Sequence, residues 1–240
     1  MNLILHIMAK DLRRLTWALA LWAGAGVLAV VGMNVSGPPQ STLESLGLVA
    51  MFQFFGLSIA LIAAIVQEDC LTESTAFWRT RPISGGRLLT AKLGLIGVLF
   101  VVIPVALGLL VRLAKRGAMF ARPEDLGQPL LALVALVLVG MALASCCKDL
   151  GRYFLLWIVC WMSVGFGTVG FQWVKVTLGY TVSRVSKMRM EGIAMYAGLI
   201  AIAVLLNQYR GRRFGVSVGL IVAGVVGAAA INTFWTWPMR

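Results

Sequence analysis

The chain has 240 residues, of which 60% are hydrophobic and 12% are charged. Soluble globular domains carry about 25% charged residues, so this composition excludes a soluble domain and indicates a multi-pass membrane protein. Each membrane span needs about 20 apolar residues, and the length therefore allows six or seven spans. The formal net charge of +12 comes from short basic clusters between apolar runs, which favours anionic lipid headgroups over nucleic acid as the partner.

An amphipathic helix is predicted for residues 1–15, ahead of a transmembrane domain over residues 16–240. Its apolar positions recur at helical spacing, at Ile4, Met8, Leu12 and Leu15. The other faces carry His6, Lys10, Arg13 and Arg14. This pattern is typical of a helix that lies in the membrane interface. His6 is the single histidine of the chain, which strongly disfavours a histidine metal site or a serine–histidine triad.

Seven apolar runs are predicted to cross the membrane, at residues 16–33, 46–66, 93–111, 129–146, 153–173, 192–206 and 214–231. Pro104 predicts a kink in the third span. With the N-terminus inside, twelve Lys and Arg residues lie inside and nine outside. The positive-inside rule favours this orientation only weakly. Loops 112–128 and 175–191 carry four basic residues each on the outside, so either the orientation is less secure or these loops are re-entrant or interfacial.

None of the predicted spans contains Asp, Glu, Lys, Arg or His. Intramembrane charges mark ion and proton pathways, so their absence disfavours a gradient-driven transporter and a membrane hydrolase. Polar residues at depth are predicted to form hydrogen bonds between helices: Gln53, Ser58, Ser145, Ser163, Thr168 and Gln172. The GxGxxG match at residues 165–170 lies inside a span, where helix packing explains it, and the chain has no GxxxxGK[ST] phosphate loop. We therefore expect no catalytic, cofactor-binding or metal-binding residue.

The four cysteines, Cys70, Cys146, Cys147 and Cys160, show no CxxC spacing. They are predicted to be reduced, with a redox or metal role for the adjacent Cys146 and Cys147 as the alternative.

Residues 67–92 form the most polar segment between two apolar runs and are predicted to face the cytoplasm. The segment opens with Glu68, Asp69 and Glu73. Carboxylates suit a first helical turn, and a divalent-cation site or an acid–base pair is the alternative. Leu71, Thr75 and Trp78 recur at helical spacing, so a short amphipathic helix is expected there. Pro82 ends this helix near Thr80 or Arg81, and Ser84 caps a second helix that carries Arg87, Leu88, Leu89 and Lys92 into the third span.

Aromatic and arginine side chains cluster beside this break, at Phe77, Trp78, Arg79 and Arg81. These residue types are the ones that most often anchor protein interfaces, so the segment is predicted to bind a partner protein. The alternative is an ordinary cytoplasmic loop whose tryptophan dips into the lipid headgroups.

The order of an acidic pair, a short helix, Arg-Pro-Ile-Ser at 81–84, then Arg87 and Lys92 resembles the segment between the second and third spans of type-2 ATP-binding-cassette (ABC) exporter permeases. The N-terminal helix and the uncharged spans are similar too, although only segment 67–92 is specific. The resemblance implies an all-α, polytopic membrane bundle with a six-span core, here with a seventh span and an N-terminal interfacial helix. Two features depart from the family: Gly85 and Gly86 follow Ser84, where a basic residue is frequent, and the seventh span is additional.

In that family the segment is the coupling helix, which binds a groove of a separate ATPase subunit. The resemblance thus implies that ATP and Mg²⁺ are bound by the ATPase partner, and that the permease pairs with a second or similar permease in the bacterial plasma membrane. The implied partner-binding residues are Glu68, Asp69, Glu73, Phe77, Trp78, Arg79, Arg81, Pro82 and Ser84. Pro82, Ser84 and Lys92 are the positions that close the coupling helix and re-enter the membrane.

The implied function is that of the membrane-spanning permease subunit of an ATP-driven exporter. A non-transporting membrane scaffold or assembly factor that recruits a cytoplasmic partner is the alternative. The resemblance also implies short re-entrant helices within residues 175–190. Since a seventh span places the C-terminus outside, an extracytoplasmic part is expected to follow Arg240 in a longer parent protein.

Overall fold

The computed structural model of the protein describes residues 3–34, 42–68, 85–116, 123–160, 162–163, 187–211 and 213–234. Over these residues the chain is helical, with short turns between some of the helices and no strand. Its helices are α1 (Leu3–Arg14), α2 (Thr16–Asn34), α3 (Thr42–Gln67), α4 (Gly85–Gly97), α5 (Ile103–Arg116), α6 (Pro123–Cys146), α7 (Leu150–Cys160), α8 (Lys187–Leu206) and α9 (Phe214–Phe234). A π-helical turn follows α4 at Val98–Val102, and another follows α8 at Asn207–Gly211.

Four stretches of the described residues are long and apolar enough to span a membrane: Val49–Gln67, Gly85–Leu110, Glu191–Arg210 and Phe214–Ile231. A fifth is counted if α1 and α2, which meet at an angle of 74°, act as one broken span. Leu130–Cys146 and Leu150–Cys160 are shorter apolar helices. The prediction of an all-helical, multi-pass membrane protein is confirmed at this level, and the count of seven spans stays a prediction.

Most predicted spans coincide with helices, but four of those helices begin earlier than expected. The helix α3 begins at Thr42 and not at residue 46. The helix α6 begins at Pro123 and not at residue 129, since proline is well suited to the first helical position. The helix α7 begins at Leu150 and not at Tyr153, because Asp149 Oδ1 accepts the backbone N–H of Arg152 at 2.8 Å and caps the helix. The helix α8 begins at Lys187, inside the loop predicted for 175–191.

A π-helical turn lies directly before Pro104, where the sequence predicts a kink. Pro104 lacks an N–H group, and its ring crowds the carbonyl of Phe100, four residues earlier. The chain widens at Val98–Val102, directly before this position, and returns to α-helical angles at Ile103. The wider turn accommodates the proline, so Gly85–Leu110 remains one candidate span.

The core lies between α3, α4, α6, α7 and α8, whose largest fully buried apolar side chains are Ile65, Ile96, Met141, Tyr153 and Val204. The helix α2 packs against α3, where the Trp22 ring stacks on Phe54 at a centroid distance of 5.1 Å. The Trp22 indole N–H donates to Ser58 Oγ at 2.7 Å. Trp17, on α2, is 86% exposed.

The Trp22–Ser58 hydrogen bond confirms the predicted interhelical role of Ser58. Ser145 donates its hydroxyl to the carbonyl of Ala142 in its own helix at 2.7 Å, so for this residue an interhelical bond stays a prediction. Gln53 and Ser163 are exposed. Thr168 and Gln172 lie outside the described residues.

Candidate functional site

A buried ion pair joins the N-terminal helix to the start of the third predicted span. Lys92 Nζ on α4 donates to Asp11 Oδ2 on α1 at 2.8 Å, and neither side chain has exposed surface. Two charges removed from solvent in this way require each other, because the loss of one partner leaves the other charge buried and uncompensated. The pair therefore fixes α1 against α4.

Glu68, in the turn directly after α3, is held by the same helix α1. Its Oε1 accepts a hydrogen bond from Arg14 at 2.9 Å and lies 3.3 Å from Lys10 Nζ, and the side chain is 9% exposed. Burial by itself raises the pKa of Glu68, but the bond from Arg14 and the charge of Lys10 outweigh it and hold the pKa below its ordinary value. Glu68 is therefore a carboxylate at neutral pH.

We call Lys10, Asp11, Arg14, Glu68 and Lys92 the charged junction. Residue 68 precedes the segment 69–84, and α4 begins directly after that segment. The segment is thus bounded on both sides by elements that are ion-paired to the single helix α1.

Other connecting segments lie at the same end of the bundle. Gln67 Nε2 donates to the carbonyl of Asp149, in the turn between α6 and α7, at 3.2 Å. Gly85 lies against the carbonyl of Tyr209 in the second π-helical turn, where a larger residue would collide. All of these elements were predicted on the cytoplasmic side, and the structure brings them together. Which side of a membrane this end faces remains a prediction.

Of the predicted partner-binding residues, the structure describes Glu68 alone. The other predicted positions lie outside the described residues: Asp69, Glu73, Phe77, Trp78, Arg79, Arg81, Pro82 and Ser84. Glu68 was expected at a solvated helix start, and it instead turns towards α1. Lys92 was assigned to a segment in water or against another protein, and it is fully buried within this chain. The predicted second helix is confirmed from Gly85 onwards.

Asp11 was not among the residues predicted to have a role. Leu12 was predicted on the apolar face of α1, yet Leu12 is 37% exposed while Asp11 is fully buried and Ile7 is 9% exposed. Asp11 lies three residues after Met8 and four before Leu15, so helical spacing puts it on the face that packs inward. An acidic residue at that register within a basic helix was the signal that could have identified it.

The described residues contain no group of three or more His, Cys, Asp or Glu side chains that could hold a metal ion. The three described cysteines, Cys146, Cys147 and Cys160, are free thiols. Burial, with smaller effects from Cys146 and Asp149, raises the pKa of the Cys147 thiol to about 11. A thiol that is protonated at neutral pH is a poor nucleophile and metal ligand, which weighs against the redox or metal alternative at this position.

The charged junction can position a segment, but it presents no nucleophile beside a base and no set of metal ligands. No protein-family model matches the chain, and no curated protein or solved structure is significantly similar to it.

Proposed function

We propose that this chain is the membrane-spanning permease subunit of an ATP-driven exporter of the type-2 ABC class. In this proposal the chain has a six-span core with a seventh span and works in a bacterial plasma membrane. The observation that carries the proposal is the charged junction, which ties the elements on both sides of segment 69–84 to α1. The resemblance of residues 67–92 to a coupling helix suggests that the partner is a separate ATPase subunit.

The junction supports coupling because a displaced loop moves the spans only if its ends are firmly attached to them. Asp11 and Lys92 are both fully buried and 2.8 Å apart, so pulling them apart would leave two uncompensated charges. A push on segment 69–84 would therefore move α1, α3 and α4 together. The spans would alternate between two packings, and ATP would shift that equilibrium by favouring one of them.

Chemistry and motion are divided between subunits in this proposal. Two ATPase subunits bind and hydrolyse ATP with Mg²⁺, and two permease chains, identical or similar, form the path for the substrate. Phe77, Trp78, Arg79 and Arg81 form the contact with the ATPase, and Glu68 acts from the membrane side by holding the segment to α1.

Co-purification of the intact protein from native membranes tests the proposal. We expect an ATPase with a nucleotide-binding cassette to accompany the wild-type chain, and we expect Trp78→Ala or Arg81→Glu to lower substrate-stimulated ATPase activity. Phe52→Ala is the matched control, because Phe52 is an aromatic residue 72% exposed on α3, sixteen residues before Glu68 in the chain. Wild-type protein that brings down no ATPase, or full activity in both loop variants, would contradict the proposal.

A non-transporting scaffold is the second candidate, since a segment with anchored ends also suits a static docking site. Single cysteines placed at exposed positions, such as Arg87 and Lys148, distinguish the two. An exporter changes the accessibility of these cysteines when ATP is added to the complex, whereas a scaffold leaves it constant.

A further inference from the structure

A cavity of about 300 Å³ lies between α6, α7, α8 and α9, and none of its lining residues belongs to the charged junction. It exists because small residues face one another across the helices, among them Ala142, Ala197, Ala201, Gly224 and Ala228. Its volume is at the lower end of the range of small-molecule pockets.

The helices α8 and α9 cannot close this space by moving together, because they already touch. The Tyr196 ring lies against Gly227, and its hydroxyl donates to the carbonyl of Ala223 at 3.0 Å. Ile200 packs directly on Gly224. These contacts fix the distance between α8 and α9, so the cavity results from the way these helices pack.

The cavity offers its occupant no polar partner among the described side chains. Among the described residues that line it, Trp157 and Cys160 are the ones with polar side-chain atoms. The Trp157 indole N–H is already donated to the hydroxyl of Tyr153 at 2.7 Å, and a thiol is a weak donor. Water needs two or more polar partners in a buried site, so the occupant that fits is a hydrocarbon.

We propose that this cavity binds one acyl chain of a membrane phospholipid. The outward faces of the same helices are apolar and exposed at Ile158, Leu199 and Val222, at 62%, 64% and 57%, so the surrounding medium is lipid hydrocarbon. A chain gains little hydrophobic free energy by leaving that medium. It gains the dispersion contacts that an empty space cannot supply. This proposal requires only that the helices lie in a bilayer and is independent of the exporter proposal.

Photo-crosslinking in nanodiscs tests the site. The intact protein is reconstituted with a phosphatidylcholine that carries a diazirine midway along one acyl chain, and labelled residues are mapped by mass spectrometry. We expect enriched labelling on cavity-lining peptides of α6 and α8, compared with the lipid-facing surface of α2 around Leu21, which is 67% exposed. Absence of enrichment over α2 overturns the proposal without any variant.

Two variants that fill the cavity, Ala197→Leu and Ala142→Leu, are expected to lose this labelling. Ala203→Leu is the matched control, since Ala203 lies on α8 and is half-buried like Ala197 but does not line the cavity. Labelling that survives in both filled variants overturns the proposal. Reaction of Cys160 with residues 164–186 under a short crosslinker, in place of lipid labelling, would identify a segment of the chain itself as the occupant and also overturns it.

A second experiment distinguishes a phospholipid from a free amphiphile, because both have the same kind of hydrocarbon chain. A fatty acid with the diazirine at the same position replaces the phospholipid probe. Equal or weaker labelling of the cavity by the fatty acid supports the phospholipid assignment, and preferential labelling by the fatty acid overturns it.

Discussion

The charged junction and the α8–α9 contact hold helices together by different physics. At the junction, α1 is joined to α4 by a fully buried ion pair of 2.8 Å. Between α8 and α9, Gly224 and Gly227 receive Ile200 and Tyr196 in close contact. Lipid tails are as apolar as the side chains, so helices in a membrane gain little from hydrophobic burial and need either polar partners or close packing.

The two regions depend on different properties of their residues. The junction depends on the sign of its charges, because Asp11 and Lys92 have no exposed surface through which water could replace a lost partner. The α8–α9 contact depends on the size of its residues. Substitutions that keep size and change charge should damage the first region, and those that keep polarity and change size should damage the second.

Asp11→Ala is expected to have the largest effect. It leaves Lys92 buried without its carboxylate, which costs about 3–5 kcal/mol in the free energy of unfolding. Arg152→Ala is the control, since it removes an ion pair at the same end whose Arg152 side chain is 72% exposed and costs about 1 kcal/mol or less. Reversible unfolding in mixed micelles measures both, and equal losses would contradict a dominant role for the buried pair.

The double variant Asp11→Leu with Lys92→Met tests whether the ion pair has a role in coupling that is separate from its role in stability. Replacing both charges by apolar residues of similar size is often neutral or stabilising. The free energy of unfolding should therefore return close to the wild-type value. If the pair serves coupling, ATPase stimulation stays low although stability is restored. Full recovery of both would limit the pair to a structural role.

Gly227→Ala is expected to have the next largest effect, because a Cβ at this position would displace the Tyr196 ring, whose hydroxyl is hydrogen-bonded to the carbonyl of Ala223. Forcing extra volume into a packed contact costs about 1–3 kcal/mol. Gly219→Ala, on the same helix, has nothing within 4 Å of its added Cβ and should stabilise by up to about 1 kcal/mol through helix propensity. Opposite signs in thermal unfolding would support the size argument, and equal signs would contradict it.

Ser58→Ala removes the acceptor of the Trp22 indole N–H. Interhelical hydrogen bonds in membranes are worth about 0.6 kcal/mol on average and about 1.7 kcal/mol at most, so a small loss of stability is expected. Ser163→Ala, at an exposed position, should cause no change. A loss for Ser58→Ala as large as that for Asp11→Ala would remove the distinction between the two kinds of contact.

Glu68 is expected to give the smallest effect, and the pH dependence of that effect appears only in acid. Because Arg14 and Lys10 lower its folded-state pKa below the ordinary value of 4.5, its contribution is fully present above that value. It is lost as the pH falls through the lower folded-state pKa. The free energy of unfolding, measured across this acid range, should depend on pH less in Glu68→Gln than in wild-type. Identical pH profiles would contradict the role of Glu68 in holding α1.

Much of the fold follows from local sequence. Helix α2 begins at the predicted residue and ends one residue beyond it, and a helix begins where the Ser84 cap was expected. A long apolar segment in a bilayer has no water to pair with its backbone N–H and C=O groups. It must therefore satisfy them internally, which leaves few structures other than a helix. The earlier starts of α6 and α7 escaped prediction because Pro123 and Asp149 act through local N-terminal geometry, which hydropathy does not register.

The candidate site was only partly predictable. Glu68 and Lys92 were singled out from residues 67–92, but each was assigned to an outward role. Their partners lie on α1, 54 to 81 positions away in the chain. No local pattern carries such a pairing, since it depends on how α1 crosses the ends of α3 and α4.

The sequence by itself determined that this is a multi-pass helical membrane protein with an amphipathic first helix and a polar segment between the second and third predicted spans. Hydropathy and helical period encode these features locally. The tertiary structure alone decided that Asp11 faces inward, that Lys92 is a buried charge, and that α8 and α9 hold a cavity open. Each of these depends on which faces of distant helices meet, and that choice is made by side-chain packing.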